Sequence, residues 1–393
     1  MPSSTHHRFI LSIAIVAIAF TASGCGSSEP LSVASETKIF TLDRVYKSMF
    51  GPRDRDRLKL LETPEPEVLW VTAISSAMVG RDGETPQSPE FFCHGAFSRL
   101  NSPEQTAARQ ALLGRRLGRA RKMFTLVQGL LEIRFPEGFG MPVLSNDEFV
   151  LTAMAMNPIE RPEPVQVGVD SRIEFVRESD AAGEMKPLYL VPLITKVPVL
   201  DNRPHDSHGL IHEDATGHAL TAGETPEHHG DGETCLSHDG DTEVARSVDR
   251  SSTDVGQPLT VSDSGHELTG HWHVPPGHHE YRYEIEDLDR MIPWDTRAHY
   301  ISAHLHPFGT SLELVDLTTG ETVFRSVAEN FPDRVALREI THSSSVEGKP
   351  IHRDHRYELI ATYDNTTDAD VDSMAVMYLY LADANPASPL ARN

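Results

Sequence analysis

Cysteine is scarce in this chain, with three residues in 393, at positions 25, 93 and 235, so no disulfide framework can define the fold. Basic residues are short as well: 35 Lys and Arg stand against 58 Asp and Glu, for a net charge of −23. A surface of that sign cannot displace the counterions of nucleic acid, which removes DNA and RNA as partners. A glycine-rich phosphate loop, a G-x-S-x-G elbow and an H-E-x-x-H helix are absent, and nucleotide-dependent, serine-hydrolase and zinc-protease chemistries lose their main sequence support. No internal repeat is evident, which argues against solenoids and propellers. The N-terminal apolar run, Phe9 to Phe20, is too short for a comfortable membrane span.

That run follows a weakly basic start and precedes Ala22-Ser23-Gly24-Cys25, the layout of a cleaved export signal. Small residues ending in Cys resemble the lipobox of bacterial lipoproteins, although Ala22 stands where that motif usually has Leu. The resemblance implies a lipoprotein signal over 1–24, acylation of Cys25, a small polar tether over 25–36 and a lipid-anchored location in the bacterial cell envelope; plain secretion is the alternative. Two or more acyl chains hold a protein on a bilayer stably, whereas one does not. Cys93 and Cys235 then remain, as one disulfide or as two thiols.

Runs rich in β-branched and aromatic residues, bounded by Gly, Pro or Asn, predict strands at 67–80, 90–100, 124–135, 148–156, 166–177 and 186–200. A break at 103–122, with Leu112, Leu113 and Leu117 at helical spacing and six Lys or Arg from Arg109 to Lys122, predicts a short helix with a basic face in solvent or against anionic lipid. From 201 to 267 the composition turns to His, Asp, Gly, Ser and Thr, which predicts a disordered linker or insertion. Strand patterns resume after it and end near Asp383. The expected class is all-β: two jelly-roll β-sandwich domains, 37–200 and 268–385, joined by the His-rich segment.

Histidine is what the chain has in excess, 21 residues, fifteen of them between His205 and His306. In "AHYISAHLHPFG" (298–309), His304 and His306 occupy alternate positions of a strand, so both imidazoles point to one face about 7 Å apart. That spacing is half of a metal site. Met374 and Met377, in the apolar strand "MAVMYLYL", point to opposite faces, and one of them could supply a third ligand. Two imidazoles and a thioether suit copper better than zinc. The bland alternative is a methionine that fills core.

The order "VPPG", His-x-His at a strand end, a hairpin, then Asp-x-Met before "MYLYL", over about 115 residues from 269 to 383, resembles the second domain of the copper type II ascorbate-dependent monooxygenases, represented by peptidylglycine α-hydroxylating and dopamine β-monooxygenase. The resemblance implies two jelly rolls with a copper in each, the second held by His304, His306 and Met374. It also implies hydroxylation of a C–H bond in a small-molecule or peptide substrate with oxygen and a reductant. In the first domain that family uses three histidines, and here "FFCHG" and "FVLTAM" offer Cys93, His94 and Met154 instead. These form either a softer second copper site or buried filler. Three readings follow: a copper monooxygenase, a non-catalytic envelope lipoprotein that binds or sequesters copper, and a metal-free sandwich that serves as an interaction module.

Overall fold

The computed structural model describes residues 30–199 and 260–390, apart from 36–37, 47–50, 101, 115–116, 119, 182, 263–264, 287 and 385–389. The expected signal peptide, Cys25, Cys235 and nearly all of the His-rich segment lie outside the described residues.

The chain is all-β, as its patterns of β-branched and aromatic residues require. A large sheet runs in the order Leu31–Ala34, Val165–Arg177, Val68–Val79, Phe139–Leu144, Lys186–Ile194, Ala375–Ala382, Thr296–Leu305, Ser343–Ile351. Leu31–Ala34, expected as tether, is an edge strand antiparallel to Arg172–Phe175. A four-stranded sheet, Arg53–Leu58, Phe149–Ala155, Phe92–Arg99 and Lys122–Val127, contributes the first half's second layer. A five-stranded sheet, Gly277–Glu284, Tyr357–Asn365, Gly309–Asp316, Glu321–Asn330 and Leu337–Ile340, contributes the second half's.

The two halves are not independent sandwiches, because one strand serves both cores. Val376, Tyr378 and Tyr380 pack with Phe97, Phe124 and Phe149 of the first half. Ala375, Met377, Leu379 and Leu381 pack with Leu312, Leu314 and Leu359 of the second. A strand covered on both faces has no reason to alternate, and this explains the continuous apolar run of Ala375–Ala382. Lys186–Ile194, expected to close the first domain, pairs with that strand along its length, Leu188↔Ala382 to Ile194↔Val376. The boundary drawn near residue 200 therefore separates strands that belong to one sheet.

Both ends of the His-rich segment meet in one small sheet, where Val197–Pro198 and Thr260–Val261 flank Glu267–Thr269. The predicted helix forms over Pro103–Leu113, with Ser102 accepting from the Gln105 N–H and Gly114 as its C-cap at φ 84°. Of the six basic residues from Arg109 to Lys122, Arg115, Arg116 and Arg119 lie outside the described residues and Arg121 is exposed, while two are buried. Arg109 is fully buried and donates to Asp147 at 2.7 Å, Arg99 approaches the same carboxylate at 3.6 Å, and Lys122 is buried. Among the described residues no helix is long and apolar enough to cross a membrane.

Candidate metal centre

His304 lies near the end of Thr296–Leu305 and His306 just beyond it. The register Ala303↔Met377, His304↔Val376, Leu305↔Ala375 puts His304 on the face of Val376, which packs into the first core together with Met374. Met377 faces the second core. Of the two methionines, it is therefore Met374 that shares a side with the imidazoles, and the ion position they imply faces the first half of the chain.

All three side chains are buried, with exposures of 4% for His304, 2% for His306 and 0% for Met374. The rings of His304 and His306 stand 5.2 Å apart and nearly perpendicular. Neither nitrogen of His304 has a hydrogen-bond partner. Burying a polar group unpaired costs about 1–3 kcal/mol, so an imidazole retained here as filler would be a poor choice beside leucine. Burial, then the neighbouring charges of His306, His94, His271 and Lys122, hold the His304 imidazole well below its ordinary pKa. It is thus neutral, the form that ligates metal.

His306 Nδ1 lies 3.0 Å from Asp372 Oδ2, close in distance though off the hydrogen-bonding direction. A carboxylate behind one ring nitrogen is the usual way a protein orients a ligating histidine. Asp372, the last member of the acidic run 364–372, stands behind this ring. The turn after His306 is also fixed: Phe308, the one non-glycine at positive φ (71°) among the described residues, donates its N–H to Asn330 Oδ1 at 2.7 Å. Tyr363 donates to the Met374 carbonyl at 2.8 Å and holds that backbone in place.

The Cys93, His94 and Met154 set is brought together as well. Adjacent residues of a regular strand point to opposite faces, but the ladder slips between Phe92↔Ala155 and His94↔Met154, leaving Cys93 as the extra residue of a bulge. Both side chains then turn to one side, and Cys93 Sγ lies 3.2 Å from His94 Nδ1. Met156, which sequence reasoning did not single out, joins Cys93 and Met154 in a small buried cluster. His94 is 5% exposed. Burial, then Lys122, His306 and Arg53, bring its pKa down to about 3.

His271, the first residue of "HWH" (271–273), is 1% exposed with its ring 5.9 Å from that of His306. Among the described residues no three His, Cys, Asp or Glu side chains converge closely enough to hold a metal by themselves. A site at His304 and His306 therefore depends on a thioether, the donor that Met374 offers. That mixed set fits copper.

No family model matches the chain, and no curated protein matches it. Among solved structures it is similar to the STIV MCP, at 11% identity and a TM-score of 0.24 over 88% of this chain and 96% of that one. It is also similar to the major capsid protein P2 of bacteriophage PM2, at 8% identity and a TM-score of 0.28 over 89% and 99%. Likenesses this distant say nothing of activity.

Proposed function

We propose that this protein binds copper through His304, His306 and Met374, as an exported protein anchored to the envelope by acylated Cys25. The observation that carries the metal reading is His304, a deeply buried neutral imidazole whose two nitrogens have no hydrogen-bond partner, set beside a second histidine on the face of a buried methionine. Copper held there would supply one-electron chemistry. The chain's own part is to orient: Asp372 backs His306, Tyr363 fixes the Met374 backbone, and the apolar strand Ala375–Ala382 keeps water away.

Retention of copper suits this geometry better than turnover. The ligands are almost wholly covered, at 4% exposure or less. The order of motifs from 269 to 383 supports hydroxylation as the second reading.

A chain lacking 201–259, which removes the adventitious histidines but spares the small sheet at their ends, separates the readings. Loaded with copper and dialysed against a competing chelator, it should retain copper that His304→Ala loses. Equal retention by both chains would refute the site. Oxygen uptake with ascorbate, abolished in His304→Ala, would turn the reading from retention to hydroxylation.

A further inference from the structure

Apart from the two large cores, the described residues form one more buried cluster, Cys93, Met154 and Met156. Its composition is unusual: every member carries sulfur. His94 adjoins it through the 3.2 Å contact between Cys93 Sγ and its Nδ1, and pairs directly across the ladder with Met154. Met156 lies two residues along from Met154, on the same side of the chain, and Gln128 Nε2 donates to its sulfur at 3.6 Å. The four side chains are 3–5% exposed.

Leucine or isoleucine would fill such a volume with better-defined rotamers, and a strand needs no bulge to bury apolar groups. The bulge at Cys93 does one thing that filler does not require, which is to turn a thiol and an imidazole onto the face that carries both thioethers. Thiolate, thioether and imidazole together are the donors that soft monovalent ions prefer, while Mg²⁺, Ca²⁺ and Mn²⁺ prefer oxygen.

We infer that Cys93, His94, Met154 and Met156 form a second, sulfur-rich site for monovalent copper. Gln128 positions the Met156 thioether. In binding, the Cys93 S–H bond is exchanged for a Cu–S bond and one proton passes to solvent; copper enters and stays as Cu(I), so no electron moves. The site stands on its own geometry and does not depend on copper at His304.

The test is a Cu(I) count on the full chain, made anaerobically against excess bathocuproine disulfonate, which strips weakly held ions. Wild type should retain two ions per chain, His304→Ala one, and the double variant Met154→Leu, Met156→Leu one. Methionine to leucine nearly conserves volume, so that variant should fold, and its circular dichroism melt verifies this. Cys93→Ser should also retain one ion, and should abolish the single proton released per Cu(I) bound at this site. A folded double variant that retains as many ions as wild type would overturn the inference, whatever His304→Ala does. A loss confined to the double variant and Cys93→Ser would uphold it and refute the His304 site instead.

Discussion

The carboxylate of Asp372 sits 3.0 Å from one nitrogen of His306, and in the proposed copper site the other nitrogen would take the ion. Loss of such an orienting group typically weakens metal binding about 10–100-fold. Asp372→Asn should show a drop of that size in a chelator competition, with the melting temperature of the metal-free protein little changed. The buried imidazoles also set a pH dependence. His94, His299 and His304 all titrate below their ordinary value, in each case chiefly through burial. An unfolded chain takes up protons near pH 6.5 that the folded chain refuses, so stability is fully present above that pH and falls as the pH drops. For His94 the window runs from 6.5 down to about 3. Each imidazole that stays neutral contributes about 1.4 kcal/mol of loss per pH unit. Thermal melts of metal-free protein from pH 7.5 to 5 should therefore fall steadily, and His299→Gln should flatten the slope. His304 and His306 were legible in the sequence because strand periodicity puts i and i+2 on one face. His271, Asp372 and Met156 were not, since their roles arise from contacts between distant segments.

At the scale of elements, most strands with strong β composition formed where expected, the one expected over 124–135 breaking into Lys122–Val127 and Glu132–Arg134, and two of those missed lie at sheet edges. Arg53–Leu58, "RDRDRL", is too charged to read as a strand, and it is one because it lies at an edge, paired with Phe149–Ala155 alone. Ser343–Ile351 has little apolar content for the same reason: it closes the large sheet beside Thr296–Leu305. The bulge at Cys93 leaves no mark in composition, so only the ladder shows that the adjacent Cys and His turn to one side. Within the basic stretch, Arg109 turns inward and tethers its helix to the turn after Phe139–Leu144 through Asp147. With Asp147 at 0% exposure and Arg109 at 0%, Asp147→Ala should destabilise the protein by about 3–5 kcal/mol, because a guanidinium is left buried without its counter-charge. Denaturant unfolding measures this directly, and a loss under 1 kcal/mol would contradict the assignment.

Over the whole molecule, the halves are joined more closely than two domains on a linker. They share the large sheet, and side chains cross between them: Gln128 donates to the Glu90 carbonyl at 2.9 Å and accepts from the Leu337 N–H at 2.7 Å, while Glu90 receives both Arg161 and Arg334. Composition alone suggested a boundary at the His-rich segment, because hydrophobic patterning stops there. Sheet pairing is not visible to composition, and it carries the core straight across. Since both ends of that segment meet beside Glu267–Thr269, removing 201–259 should leave a single cooperative melt within a few degrees of wild type. Two separate transitions would contradict a shared core.

The most direct test of copper at His304, His306 and Met374 is X-ray absorption at the copper edge of selenomethionine-labelled protein carrying Met154→Leu and Met156→Leu, loaded with one equivalent of Cu(I). The account predicts nitrogen scatterers together with a copper–selenium distance that disappears when Met374→Leu is added. Bound copper surrounded by nitrogen and oxygen alone, with no selenium neighbour, would contradict it.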